Sequence, residues 1–222
     1  MTEKYRMIAS EIIIKTENWV KLLLASDASG HDWFHIERVR NTANVIAQNE
    51  KANLFIVEIA ALLHDVTDWK LTSNEILAKS NVNAFLLEMD LSNHQINMIL
   101  EIIESVSFKG AGITTLPKTI EGMIVQDADR LDAIGAIGIA RAFAYGGNKQ
   151  RPMWEPGINA IQHKTFEDYK NNKGNTINHF YEKLLLLKDR MNTQSAKLMA
   201  EIRHKRMEVF LDNFYSEWEG KS

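Results

Sequence analysis

Residues 123–143 read MIVQDADRLDAIGAIGIARAF, and the fold class turns on how that run is interpreted. Its apolar residues recur at helical spacing, without the strict apolar and polar alternation of a half-buried strand. The run is therefore predicted to lie in a helix over about 118–143. It is an unusual helix, because Asp127, Asp129 and Asp132 stand among core-type residues, where an uncompensated carboxylate is costly. A carboxylate buried there most naturally faces a cation. Gly135 and Gly138 follow within two turns, which predicts close packing against neighbouring elements.

The same periodicity continues in both directions. Helices are predicted at about 3–25, 32–49, 53–65, 73–81, 84–89, 92–107, 118–143, 176–189 and 193–218. The expected class is all-α. Asp32, Ser92 and Thr193 stand where helix N-caps belong, since a short polar side chain there accepts an otherwise unsatisfied backbone N–H. Residues 145–175 concentrate glycine, proline and asparagine and read as a long loop, of the kind that serves as a lid or stays disordered. One domain over 1–222 is expected, with a metal-binding core at about 20–143 and a C-terminal helical extension at 176–218.

Composition narrows the functions. A chain of 222 residues that is 45% hydrophobic is long enough to bury one sizeable core. Its 26 basic and 29 acidic residues nearly balance, so no basic excess marks a nucleic-acid footprint. The absence of cysteine removes disulfides, thiolate metal sites and cysteine nucleophiles together. Any metal must be held by nitrogen and oxygen. The N-terminal stretch is charged throughout and lacks a signal-peptide pattern, and no run approaches the roughly 20 apolar residues that span a bilayer. A cytoplasmic protein without membrane contact is expected, and either a monomer or a homodimer is compatible with the sequence.

Two further segments supply nitrogen. AALLHDVTDWK, residues 60–70, puts His64 and Asp65 at the end of an apolar helix. GHDWFHIERVRNTANVIA, residues 30–47, places His35 on an amphipathic helix whose apolar face is predicted through Phe34, Val39, Ala43 and Ile46. His35 lies at the margin of that face. With the carboxylates of 127–132, the three segments offer a nitrogen and oxygen set suited to manganese, cobalt, iron, nickel, zinc or magnesium.

These residues resemble the HD superfamily of metal-dependent phosphohydrolases, whose pattern is a His, a His-Asp pair and a distant Asp. The resemblance is specific across HDWxHxxRV, LHDxxD and QDADRLDAIGAIGIAR, and it implies one divalent ion, manganese favoured, held by His35, His64, Asp65 and Asp129. The family's Ala-Asp-Arg-Leu context selects Asp129, with Asp127 as competitor. Additional histidines that support a second metal in some members are lacking, because only His94 stands between the pair and the last Asp. Members with these motifs are thought to act on nucleotides, some splitting nucleoside triphosphates to monophosphate and pyrophosphate. The alternatives are a nucleoside monophosphate phosphatase and a non-catalytic nucleotide sensor.

A metal-bound water would be the nucleophile of such a reaction. Asp68, three residues past Asp65, is the candidate proton acceptor. Phosphate charge calls for donors nearby, and His31, Arg38, Lys70, Lys109, His179, Lys183 and Arg203 are the candidates. Lys109 is followed by glycines that let backbone N–H groups approach an anion. His179 and Lys183 are four apart on one helix face, and Arg203 offers a guanidinium for bidentate phosphate contact. Trp33 and Trp69 flank the ligand segments; at least one of them is expected to pack in the core, and they are also the candidates to stack on a base.

Overall fold

The protein is described by a computed structural model over residues 3–24, 32–67, 74–106, 116–161 and 174–221. Its elements are α1 (Glu3–Leu23), α2 (Trp33–Glu50), α3 (Leu54–Leu63), α4 (Glu75–Leu87), α5 (Asn93–Val106), α6 (Ile120–Asp132), α7 (Gly135–Asn148), α8 (Thr176–Glu182), a 3₁₀ segment (Leu184–Arg190) and α9 (Gln194–Trp218). No strand occurs among the described residues, so the fold is all-α. None of the described helices is long and apolar enough to cross a membrane. Two compact units divide them: α1–α5 with α6 as far as Ala128, and the residues from Asp129 onward.

α3 is the hub of the first unit. Ile56, Val57 and every residue from Ile59 to Leu63 are buried, so the helix is apolar on every side but that of Glu58, as an enclosed helix is. α1, α2 and α5 pack around it. α2 turns Ile36, Val39, Ala43, Ile46 and Ala47 inward and α5 turns Ile96, Ile99, Ile102 and Ile103 inward, each at the i, i+3, i+4 spacing of one helical face. Burying each of these isoleucines and Val39 contributes roughly 1.5–3 kcal/mol. Phe34 departs from the predicted face, being 63% exposed; the buried stripe runs instead through Ile36 and includes His35.

Caps fix where these helices begin. Asp32 accepts from the His35 N–H at 2.9 Å, Asn53 from Ile56 at 3.4 Å and Asn74 from Leu77 at 3.0 Å. Ser92 and Gln95 cap one another's backbone N–H groups ahead of α5, a reciprocal arrangement that satisfies two donors at once. In the second unit Asn175 opens α8 and Thr193 opens α9. Asp32, Ser92 and Thr193 thus hold the cap positions expected of them.

Four helix boundaries differ from expectation. The helices predicted at 73–81 and 84–89 are one helix, α4. The helix predicted over 118–143 is two, because the chain turns at Ala133–Ile134 and Gly135 adopts φ +76°. A side chain on Gly135 would also press within 2.9 Å of the Arg203 Cβ. α7 then runs to Asn148, so the loop begins later than 145. The helix predicted at 176–189 breaks at Lys183, whose φ of −142° ends α8 before the 3₁₀ segment.

The second unit packs α7 against α8 and α9, and the 3₁₀ segment against α8 and α9. Phe143, Phe180, Phe210 and Phe214 form its aromatic core, with ring centroids 5.7–6.4 Å apart, inside the range where edge and offset contacts are favourable. Gly146 lets Thr176 approach so closely that a Cβ would fall 2.3 Å from its hydroxyl oxygen.

Candidate metal centre

Each ligand candidate is delivered by a helix end. His35 stands in the first turn of α2, its backbone N–H held by the Asp32 cap, and its side chain is fully buried. His64 ends α3 immediately after its run of buried residues and is itself 2% exposed. Its Nδ1 lies 2.8 Å from the Ala61 carbonyl. A carbonyl only accepts, so Nδ1 carries the proton and Nε2 presents a lone pair, the orientation device found behind metal-bound histidines.

Asp65 follows at 7% exposure. Its Oδ2 lies 3.3 Å from His35 Nε2 and its Oδ1 lies 3.5 Å from His64 Nε2. The two imidazole rings meet edge to face with centroids 5.4 Å apart. Lone pairs of an imidazole and a carboxylate repel unless a proton or cation lies between them. The donor chemistry therefore fits a divalent ion with mixed nitrogen and oxygen ligands.

The three carboxylates of α6 have different surroundings. Asp129 is partly exposed, and one ligand atom each from Asp129, His35 and His64 lie within 4.8 Å of one another. Asp129 follows directly on Ala128 in the same unbroken helix. Asp127 is fully buried and belongs to no such group among the described residues. Asp132 is 4% exposed and is neutralised by Arg141, whose Nη1 lies 2.5 Å from Oδ2. Of the two competitors for the last ligand, the grouping takes Asp129.

The other site candidates are distributed as follows. His31, Asp68, Lys70 and Lys109, with Trp69, lie outside the described residues. Arg38 is partly buried one turn along α2 from His35. Trp33 has the Lys21 ammonium 4.4 Å from its ring centroid, so its face already meets a cation. His179 is partly buried on α8 and Lys183, also partly buried, is the residue that ends it, its N–H donating to the His179 carbonyl at 3.1 Å. Burial, reinforced by the charges of Lys183 and Arg151, lowers the His179 pKa to about 3. Arg203 donates through Nη1 to the Leu131 carbonyl at 2.5 Å, and burial is the main cause of its lowered pKa, opposed by Asp132.

Arg141 and Arg151 were not singled out from sequence. The nine-residue separation of Asp132 and Arg141 matches no helical pairing, and only the turn at 133–134 brings them together. Arg151 sits in a segment joined to α8 by two backbone bonds, Thr176 N–H to Pro152 O at 3.1 Å and Ile177 N–H to Met153 O at 2.9 Å. Nothing in the local sequence signals that pairing.

Comparison with known proteins places this geometry. The HD domain model matches residues 33–134, which runs from the first turn of α2 to the turn after α6. YpgQ of Bacillus subtilis is 42% identical over 194 residues, covering 87% of this chain and 87% of that one. The crystal structure of an HD-superfamily hydrolase from Bacillus thuringiensis superposes with a TM-score of 0.77 at 45% identity, covering 96% of this chain and 100% of the other. The crystal structure of Bacillus subtilis YpgQ in complex with ADP also gives 0.77, at 36% identity, with 95% and 96% covered. The domain match and the sequence and fold similarity to an HD-superfamily hydrolase agree, and the chain belongs to the HD domain family.

Proposed function

We propose that this protein is a metal-dependent phosphohydrolase of nucleotides, and that its preferred reaction converts nucleoside triphosphates to monophosphate and pyrophosphate. The observation that carries the reading is the convergence of His35, His64 and Asp129 within 4.8 Å, with Asp65 against both imidazoles. The hydrolase relative from Bacillus thuringiensis supports the reaction class, and the ADP complex of YpgQ supports a nucleotide as substrate.

His35, His64, Asp65 and Asp129 would hold the cation, for which manganese suits the mixed donor set. When bound, it supplies a water of lowered pKa and a Lewis acid for a phosphoryl oxygen. The chain's own groups do the rest. His64 keeps its ring oriented through the Nδ1 bond to Ala61. Asp68 accepts the proton of the attacking water. The water oxygen bonds to the α-phosphorus, the bond from that phosphorus to the bridging oxygen breaks, and pyrophosphate leaves with the electron pair. His31, Arg38, Lys70, Lys109 and Lys183 are assigned to the phosphate charge, and His179, held neutral by burial, to a hydrogen bond with the substrate.

The test is product release from a panel of nucleoside mono-, di- and triphosphates with Mn²⁺, Co²⁺ or Mg²⁺, comparing the native protein with Asp65→Ala. Pyrophosphate released from triphosphates by the native protein only is the expected result. Orthophosphate released from monophosphates would make the protein a nucleotidase. A folded, metal-loaded protein that releases neither would be a nucleotide-binding sensor, and the hydrolytic reading would be wrong.

A further inference from the structure

We infer that Arg203, together with Arg141, positions the metal ligand Asp129 by capping the end of the helix that carries it. The inference rests on the reading of Asp129 as a ligand.

The last four carbonyls of any α-helix lack intrahelical partners, and in α6 these begin at Asp129 itself. Two of the four are met by the turn that follows, Arg130 O by the Ala133 N–H and Leu131 O by the Ile134 N–H, both at 3.2 Å. The turn offers no glycine immediately after Asp132 to close the helix in the usual left-handed way. Closure comes from side chains distant in sequence. Arg203 Nη1, from α9, donates to Leu131 O at 2.5 Å. Arg141 Nη1, from α7, reaches Asp132 Oδ2 at 2.5 Å and Asp132 O at 3.4 Å.

Arg203 also fits there sterically. Gly135 has φ +76°, and an added Cβ would fall 2.9 Å from Arg203 Cβ and 3.0 Å from its Cγ. The arginine stem therefore lies along bare backbone at the corner, where no other residue type than glycine leaves room. Two guanidinium groups at a helix C-terminus also complement the partial negative charge gathered there. Asp129 is one turn or less from every one of these contacts, so their loss frees the ligand's backbone to fray. Arg203 is a positioning residue in this account; it acts through the helix and touches no reacting atom.

Calorimetric titration of Mn²⁺ into the native protein, Arg203→Met and Arg203→Lys, alongside thermal melts without metal, tests this. Met keeps the stem against Gly135 and removes the donor, whereas Lys restores a cationic donor. The expected result is a Mn²⁺ affinity lowered on the order of 10–100-fold in Arg203→Met, as for other groups that orient metal ligands, with substantial recovery in Arg203→Lys. Affinity unchanged in a folded Arg203→Met would overturn the inference, and so would equal losses in both variants that merely follow their melting temperatures. Should Arg203→Met not fold, Arg203→Gln, which is too short to reach the carbonyl, carries the same two outcomes. A native protein that binds no divalent ion would overturn the metal-site reading and this inference with it; native binding with an insensitive Arg203 overturns this inference alone.

Discussion

The Nδ1 of His64 donates to the carbonyl of Ala61, three residues back on its own helix, at 2.8 Å. That bond commits Nε2 to the side where Asp65 and the His35 ring converge, and it makes the ligand set a consequence of helix geometry. The set should be separable by substitution. Asp129→Asn is expected to lower Mn²⁺ affinity by at least the roughly 100-fold upper range for groups that only orient ligands, while Asp127→Asn retains a stoichiometric site. Titration calorimetry of the two variants decides, and the reverse pattern would move the last ligand to Asp127.

Arg40 holds the first unit together at one point. Its Nη1 lies 2.8 Å from Glu17 on α1, and its Nε and Nη2 lie 2.8 and 2.6 Å from Glu58 on α3. Burial alone would lower its pKa, but Glu58 and Glu17 outweigh burial and raise it. The side chains are only 17–24% exposed. Removing the guanidinium leaves two part-buried carboxylates facing each other, so Arg40→Met should lose roughly 1–3 kcal/mol in urea unfolding, below the full cost for a wholly buried pair. A loss under about 0.5 kcal/mol, the usual range for surface changes, would show that the triad contributes nothing.

His179 gives stability a pH dependence with a definite sign. Its pKa is lowered to about 3 by burial and by the charges of Lys183 and Arg151, whereas in the unfolded chain it titrates near 6.5. Below pH 6.5 the unfolded chain therefore takes up a proton that the folded chain refuses. The contribution is fully present above pH 6.5 and is lost as pH falls toward 3, amounting to about 2 kcal/mol between pH 8 and 5. Denaturant unfolding across that range should show a shallower slope in His179→Gln than in the native protein. Equal slopes would contradict the burial of a neutral imidazole.

What could be read before the fold was known, and what could not, follows from range. The all-α class, the caps at Asp32, Ser92 and Thr193, and the apolar run into His64 are written in local spacing, and the structure has them. The break between α6 and α7 was missed because its causes lie far away: Arg203, which closes the helix, is 72 residues from Leu131. Gly135 was visible as a site of close packing, but its positive φ was not. Phe34 misled for the opposite reason. Its hydrophobicity suggested a core position, yet the helical phase set by Ile36, Val39 and Ala43 turns it to solvent. The choice between Asp127 and Asp129 rested on motif context, and burial would have pointed the other way, since Asp127 is the more enclosed of the two.

The most direct test of the central claim is hydrolysis of a nucleoside triphosphate in ¹⁸O-labelled water with Mn²⁺, followed by mass analysis of both products. The account predicts one ¹⁸O in the monophosphate, none in the pyrophosphate, and no turnover after the metal is chelated. Label in the pyrophosphate, or product formed at the same rate without metal, would contradict it.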